Sequence, residues 1–447
     1  MRISVKAINI IAVCGIIILA VLSNLDAVID TSARGESFWR KGPVVRRLQP
    51  VSAYSKSLAH YTMGIIYDNE DRPEDAIREY SEALRLGPDV SYIHTRLAVG
   101  YLLLKKEEKS LEELALAEKL DPQDTKPKFL TALCYTSLGK FEAAQKKYEE
   151  VTRLDPESIW ALSSLADVLV LQKKMAEAAS IYEKLIEKEK DSWPLYFNLA
   201  VIYSKVGKTD QAIEKLKEAA GLNPDYIEAY IGLGILQEIK KDYRLAVQSF
   251  EKALAIEPLN TALYHQMGLL YHKLKDTKSA IRQYELLIKL DPKDFEARLA
   301  LGYMYGELGE NDNALKSYDA ARELNKDEPR LHFYLGMLHD KNKDKELAIK
   351  EFREAIMLNP SDSLAYNYLG YMFAEDGVNL DEAMALIKRA LAIEPDNGAY
   401  IDSLGWVYFK LGMYEEALSE LERAFKLEPN DPTIKEHLES ARKKVKK

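Results

Sequence analysis

The chain has 447 residues and a net charge of −9, with 62 Lys and Arg against 71 Asp and Glu. The negative charge is concentrated in residues 57–431, which carry 48 basic and 66 acidic residues. Such a surface repels a phosphate backbone, so we expect no nucleic-acid partner. The two cysteines are too few for a disulfide framework or a thiolate metal site.

The first predicted element is an apolar segment within residues 1–29. Two basic residues precede an uncharged run from Ala7 to Leu22, which is the layout of a signal peptide or a signal anchor. As a helix this run spans roughly 24 Å, short of the ~30 Å hydrocarbon core of a membrane. The segment therefore predicts a retained single-pass anchor, a cleaved signal or, through Cys14, a lipid attachment point. We expect attachment to a membrane through this segment.

Residues 30–56 predict a basic linker. They contain Arg34, Arg40 and Lys41 together with two prolines, which favour an extended chain. The protein is thus expected at a cell envelope, either membrane-anchored or exported to the periplasm. Positive residues on both sides of the apolar segment leave the side of the membrane open.

A repeat of 34 residues follows and runs from residue 57 to residue 431. Alanines recur at this spacing at Ala144, Ala178, Ala212, Ala246, Ala280, Ala314 and Ala348. Glycines keep the same spacing at Gly234, Gly268, Gly302 and Gly336. A fixed period of this length is the signature of a solenoid.

Each repeat predicts two helices when its first residue is numbered position 1. Positions 4, 7, 8 and 11 share one face of a first helix, and positions 20, 24 and 27 share one face of a second. In the unit starting at residue 261 these positions hold Tyr264, Met267, Gly268, Tyr271, Ala280, Tyr284 and Leu287. The small residues at positions 8 and 20 predict that the two helices cross most closely there.

These residues resemble the tetratricopeptide repeat family, whose pattern has Leu-Gly, Tyr, Ala, Phe, Ala and Pro at the same spacings. The resemblance covers residues 57–431 and implies an all-α fold: an α-solenoid superhelix of about eleven helix-turn-helix repeats whose first helices line a concave groove. It implies no catalysis. The tenth unit has one extra residue near residues 376–379.

The residues from 366 to 406 are similar to the C-terminal repeats of many bacterial tetratricopeptide proteins, which favours a bacterial source. Residues 432–447 predict one more amphipathic helix, with Ile434, Leu438 and Ala441 on its apolar face and a basic tail. Such a helix would cap the last repeat.

In the family, the groove is lined mainly by first-helix positions 2, 5, 6, 9, 12 and 13. Here these positions are mostly apolar and aromatic, with a few amides, hydroxyls and carboxylates, which suits an extended or helical peptide segment of a partner protein. The same spacing is also typical of core packing, so part of the set is expected to be structural. The predicted groove residues are Phe197, Asn198, Ile231, Ile235, His265, Leu269, Leu299, Tyr303, Phe333, Tyr334, Met337, Asn367, Tyr368, Tyr371, Asp402 and Trp406.

The sequence contains no pattern typical of an enzyme. His265 and His272, like His332 and His339, are seven residues apart, which places them roughly 10 Å apart along a helix, too far for one metal ion. No glycine-rich phosphate loop follows a strand. We expect no enzymatic activity, no metal and no cofactor.

The function favoured by the sequence is a non-enzymatic scaffold at a bacterial cell envelope that binds a segment of a partner protein in its groove. A self-associating structural protein, with a homo-oligomeric contact near Trp406 and Tyr408, is one alternative. An assembly factor for polysaccharide or pilus export is another.

Overall fold

The computed structural model describes residues 51–446, so the predicted leader at 1–29 and most of the predicted linker at 30–56 lie outside the described residues. Within residues 51–446 the structure is all-α, with no β-strand. No helix in this part of the chain is both long enough and apolar enough to cross a membrane. The chain forms two compact units, Met1–Leu236 and Gln237–Lys447.

The first unit contains ten helices and most of an eleventh. They are α1 (Val51–Asn69), α2 (Pro73–Leu86), α3 (Ser91–Leu103), α4 (Glu107–Leu120), α5 (Thr125–Ser137), α6 (Phe141–Leu154), α7 (Ile159–Leu171), α8 (Met175–Lys188), α9 (Trp193–Lys205), α10 (Thr209–Leu222) and α11 (Ile227–Ile239). The boundary between the units falls inside α11.

The second unit contains the remaining twelve helices of the described residues. They are α12 (Tyr243–Ile256), α13 (Thr261–Lys273), α14 (Thr277–Leu290), α15 (Phe295–Leu308), α16 (Asn311–Arg322), α17 (Pro329–Lys341), α18 (Lys345–Leu358), α19 (Ser363–Asp376), α20 (Leu380–Ile393), α21 (Gly398–Lys410), α22 (Tyr414–Leu427) and α23 (Pro432–Val445).

Helices pack in the order of the chain within each unit. From α1 to α10 and from α12 to α23, each helix packs on the next one. Some odd-numbered helices also pack on the next odd-numbered helix, as α3 does on α5 and α19 on α21. Each repeat is therefore a helix pair whose hydrophobic face is covered by its neighbours, which is the solenoid that the 34-residue period predicts.

The two helices of a repeat cross most closely at position 8. A Cβ atom placed on Gly268 would lie 2.6 Å from Cζ of Tyr284, and one on Gly405 would lie 3.3 Å from the carbonyl oxygen of Ala417. Both distances are shorter than ordinary van der Waals contact. The predicted close crossing at positions 8 and 20 is thus confirmed.

The turn between the two helices depends on a left-handed residue at position 15. All eleven repeats of the described chain have a positive φ there. Glycine occupies the position in five of them, while the other six carry Asp71, Lys105, Lys173, Lys241, Lys275 and Lys343. The extra residue of the tenth repeat lies in this turn, where Gly377 and Asn379 both have positive φ.

A histidine and a glutamate link the two helices of several repeats. Nδ1 of His94 lies 2.6 Å from Glu113 Oε2, and Nδ1 of His332 lies 2.6 Å from Glu351 Oε2. Both histidines are at position 4, and both glutamates are at position 23. The hydrogen bond to its glutamate raises the pKa of each histidine above the ordinary value.

One testable prediction concerns the turn between α15 and α16. Gly306 and Gly309 both have open space around an added Cβ, but only Gly309 has a positive φ, of 78°. Gly309→Ala should therefore lower the free energy of unfolding by about 1 kcal/mol, while Gly306→Ala, inside the helix, should raise it by ~0.5–1 kcal/mol. Urea unfolding of both variants checks this. Equal effects of the same sign would show that φ does not decide the outcome.

A second prediction concerns pH. Because the folded pKa of His332 is above its ordinary value of 6.5, its bond with Glu351 contributes fully below pH 6.5 and is lost as pH rises through the folded pKa. His332→Gln should therefore cost about 1–2 kcal/mol of stability at pH 6 and clearly less at pH 9. Urea unfolding at both pH values measures this.

The control for this experiment is His339→Gln on the same helix. Nδ1 of His339 lies 3.9 Å from Asp344 Oδ2, which is too long for a hydrogen bond. We expect His339→Gln to cost less stability at pH 6 than His332→Gln does. A cost of His332→Gln that is the same at pH 6 and pH 9 would contradict the proposed linkage.

Candidate functional site

The predicted groove residues lie on first helices of the repeats, in both units. Phe197, Asn198, Ile231 and Ile235 belong to the first unit, on α9 and α11. The other twelve belong to the second unit, on α13, α15, α17, α19 and α21. Each unit therefore presents its own part of the candidate groove.

In the second unit, aromatic rings connect three successive first helices. The ring centroids of Tyr303 and Tyr334 are 5.5 Å apart, and those of Phe333 and Tyr368 are 5.7 Å apart. Phe333 and Tyr334, on the same helix, are separated by 5.8 Å. We call Tyr303, Phe333, Tyr334 and Tyr368 the aromatic row.

Buried rings of the second helices pack against the aromatic row. Tyr368 packs on Phe352 at a centroid distance of 5.3 Å, and Tyr334 stacks parallel to Tyr318 at 6.2 Å. Phe352 and Tyr318 are buried at position 24 of their repeats. The three tyrosines of the row remain half-buried, so part of each is open to solvent. The row is thus a fixed surface with accessible aromatic edges.

Position 5 of the first helix is mostly packed rather than open. Phe197, Leu299 and Phe333 have only 6, 3 and 7 % of their surface exposed. Phe333 shows the reason, because it lies between Phe352 of its own repeat and Tyr368, at position 6 of the next first helix. These three predicted residues are therefore packed inside their units and offer little surface to a ligand.

At the end of the second unit, the final helix covers two more predicted residues. Asp402 is 4 % exposed and accepts a hydrogen bond from Nδ1 of His437 at 2.9 Å. The ring of Trp406 stacks on that of His437 with a centroid distance of 4.0 Å, and Nε1 of Trp406 donates to Glu375. Asp402 and Trp406 therefore contact α23 through His437.

The other predicted residues of the second unit are half-buried. Among them, Asn367 has a buried Oδ1 atom with no hydrogen-bond partner among the described residues. His265 lies edge-on to Tyr284 at 5.7 Å, and burial lowers its pKa, which favours the neutral ring. Leu269 and Met337 add apolar surface. The surface of this unit is accordingly aromatic and apolar, with one unsatisfied amide.

The first unit contains a polar group that the sequence analysis missed. Nδ2 of Asn198 donates to the hydroxyl of Tyr182 at 3.1 Å, and this hydroxyl donates to Oδ1 of Asp167 at 2.5 Å. Burial raises the pKa of Asp167 to about 6, against an ordinary 3.8. The sequence contains a signal for Asp167, because this residue is at position 9 of its repeat, where the other ten repeats carry an aliphatic or aromatic residue or methionine.

No metal site was found on these surfaces. Among residues 51–446, no group of three or more His, Cys, Asp and Glu side chains is arranged to hold a metal ion. The histidines that are spaced seven residues apart in the sequence contact glutamates. His272 lies 3.3 Å from Glu307, and His332 contacts Glu351.

Comparison with protein families identifies the repeat. Models described as tetratricopeptide repeat match residues 61–125, 135–202, 197–261, 261–294, 305–363, 335–398 and 376–438. The chain belongs to the tetratricopeptide repeat family. Proteins built from this repeat are generally non-catalytic scaffolds for protein–protein interaction. A search of curated proteins gave no match.

Several solved structures are similar to this chain. A tetratricopeptide repeat protein from Parabacteroides merdae is 22 % identical over 58 % of this chain and 98 % of its own, with a TM-score of 0.47. Cut9 with Hcn1, from the APC/C, is 14 % identical over 87 and 97 %, with a TM-score of 0.44. YrrB, described as having an unusual peptide-binding site, is 28 % identical over 42 and 96 %, with a TM-score of 0.37.

A third prediction follows from the burial of Asp167. Its folded pKa is above the ordinary value, so the native protein holds the proton more tightly and stability falls as pH rises from about 4 to about 6. Asp167→Asn keeps an acceptor for Tyr182 and removes the charge. It should raise the free energy of unfolding by about 1–2 kcal/mol at pH 7.5 and have little effect at pH 4.

Urea unfolding at the two pH values measures this effect. Glu177→Gln, which removes an exposed carboxylate from the second helix of the same repeat, is the control and should change stability by less than about 0.5 kcal/mol. A loss of stability in Asp167→Asn at pH 7.5 would mean that the charged form is stabilised in the native protein.

Proposed function

We propose that this protein is a non-catalytic scaffold at a bacterial cell envelope and that its groove surfaces bind an extended or helical peptide segment of a partner protein. The aromatic row of the second unit is the observation that carries the proposal. Three tyrosines with partly open rings lie on successive first helices, and ring contacts that include Phe333 connect them. A surface of this composition is typical of the centre of protein–protein interfaces.

The aromatic row has the physical properties of a preformed binding surface. Three of its rings pack on buried rings of the second helices, Phe333 and Tyr368 on Phe352 and Tyr334 on Tyr318, so little side-chain entropy is lost when a ligand covers them. Burial of apolar area stabilises a complex by roughly 25 cal/mol per Å², and tyrosine adds a hydroxyl for hydrogen bonding. An apolar peptide segment would gain both contributions here.

Asn367 supplies a polar contact beside the row. Its oxygen lacks a partner in the described structure, and an amide can both accept from and donate to a peptide backbone. Because this oxygen is buried, it can accept a backbone N–H of a bound segment only if the Asn367 side chain turns toward the surface, and the new bond would then remove the cost of the unsatisfied acceptor. This arrangement favours a peptide ligand over a purely apolar one.

The proposed location depends on the sequence of residues 1–29, which lie outside the described residues. Their apolar run supports attachment to a membrane or export, and the acidic array favours a protein partner over nucleic acid. Extraction of cell membranes with alkaline carbonate tests the anchor. Release of the full chain into the soluble fraction would contradict it.

A fourth prediction tests the groove. A photoreactive benzoylphenylalanine in place of Tyr303 or Tyr371 in the full chain should crosslink to another protein in cells of the source organism. The same residue at Met357, on the second helix of its repeat and 64 % exposed, is the control and should give no such adduct. Crosslinked species are separated by size and identified by mass spectrometry.

The outcomes separate the possible functions. Adducts with another protein at the groove positions alone support the scaffold, and a partner from polysaccharide or pilus export would identify it as an assembly factor. Adducts of the chain with itself would instead support the self-associating structural protein. Equal labelling at Met357, or none at any position, would contradict peptide binding in the groove.

A further inference from the structure

Asp167 interrupts an apolar series on the first helices. At position 9 the other ten repeats carry Ile65, Val99, Leu133, Val201, Ile235, Leu269, Tyr303, Met337, Tyr371 and Trp406. Asp167 lies on α7, between Leu133 on α5 and Val201 on α9, which both belong to the hydrophobic core of the first unit or pack against it. A carboxylate at this place needs an explanation, because a charge costs free energy in apolar surroundings.

The contacts of Asp167 are incomplete for a charged group. One oxygen accepts from the hydroxyl of Tyr182, which is fully buried and in turn accepts from Asn198. No basic side chain of residues 51–446 lies within ion-pair distance of Asp167. The hydrogen bonds fix the carboxylate in place but leave its charge without a counterion.

The first repeat contains a similar pair that has its counterion. There the hydroxyl of Tyr80 donates to Oδ2 of Asp68 at 2.5 Å, and Nη1 of Arg96 lies 3.4 Å from the same oxygen. Tyr80 and Tyr182 both occupy position 24 of their repeats. In both arrangements the hydroxyl that donates to the carboxylate therefore comes from the same position of the second helix. Asp167 therefore has the tyrosine partner of Asp68 without its cation.

Trp160 supplies apolar surface on the same helix face. It precedes Asp167 by seven residues, which places the two side chains on one side of α7 about 10 Å apart. Trp160 is 49 % exposed, although an indole of this size is usually covered. An apolar residue next to a basic one in a bound segment could contact both side chains.

We propose that Asp167 receives the side chain of a lysine or arginine of the bound partner segment, while apolar residues of that segment contact Val201 and Trp160. This inference rests on the proposed function, since it names the chemistry of the peptide that the groove binds. The carboxylate is already oriented by Tyr182, so a ligand cation completes the ion pair without reorganising the site.

The test is selection from a random library of twelve-residue peptides displayed on phage, with the full chain in detergent as the target. Peptides selected on the wild-type protein should be enriched in lysine or arginine at one aligned position. Their binding should weaken at least tenfold on Asp167→Asn and remain unchanged on Glu177→Gln. Circular dichroism confirms that both variants stay helical.

A double substitution cycle then assigns the contact. In a selected peptide, replacing the arginine by citrulline keeps its shape and removes its charge. This peptide should bind the wild-type protein at least tenfold more weakly than the original peptide and show no further loss on Asp167→Asn.

Other results would overturn the inference in distinguishable ways. Selected peptides without a basic residue, or basic peptides that bind Asp167→Asn as tightly as the wild type, would refute the role of Asp167 and leave peptide binding intact. A library that yields no binding peptide at all would refute the proposed function together with this inference.

Discussion

The helices of a repeat can approach closely only where the first helix has a very small residue at position 8, because the side chain at position 24 of the second helix lies directly opposite. A Cβ on Gly64 or Gly302 would come within 2.4 Å of the tyrosine ring across from it. Where the opposite residue is Phe352, as for Gly336, the distance is 2.8 Å. The backbone of one helix thus packs on the ring of the other, and the distance between the helices is fixed by the thickness of that ring.

The groove surface depends on this contact. Rings at position 24 are held between the two helices, and the residues at positions 5 and 6 pack on them from the other side, as Phe333 and Tyr368 do on Phe352. The same ring position places the hydroxyl of Tyr182 against Asp167. The residue at position 24 therefore contacts both the hydrophobic core of its repeat and the residues of the candidate site. A substitution at this position would disturb both.

Most of the fold could be predicted from the sequence, because the 34-residue period fixes which residues face each other. The helix pairs, the close crossing at position 8 and the extra residue near Asn379 all follow from spacing. The candidate site was less predictable. Spacing assigns a helix face but does not show which side chains the next helix covers, so Leu299 and Asp402 were assigned to the groove although both are buried.

Contacts between distant residues were also beyond the sequence. His437 reaches Asp402 from 35 residues away, and nothing in the pattern of either helix indicates that pairing. Asp167 could have been noticed as the exceptional residue at position 9, but its bond to Tyr182 depends on how the second helix is placed. Polar contacts of this kind are decided by side-chain geometry, which a hydrophobic period does not encode.

The final helix covers the hydrophobic side of the last repeat. α23 packs on α21 and α22, and His437 occupies position 6 counted from residue 432, where a twelfth repeat would begin. The outer residues of α23, among them Lys435, Glu439 and Lys443, are charged and exposed. The apolar residues on the inner face of α23 are thus buried against the last repeat, so the hydrophobic side of the last helix pair is kept out of water, where it would favour non-specific aggregation.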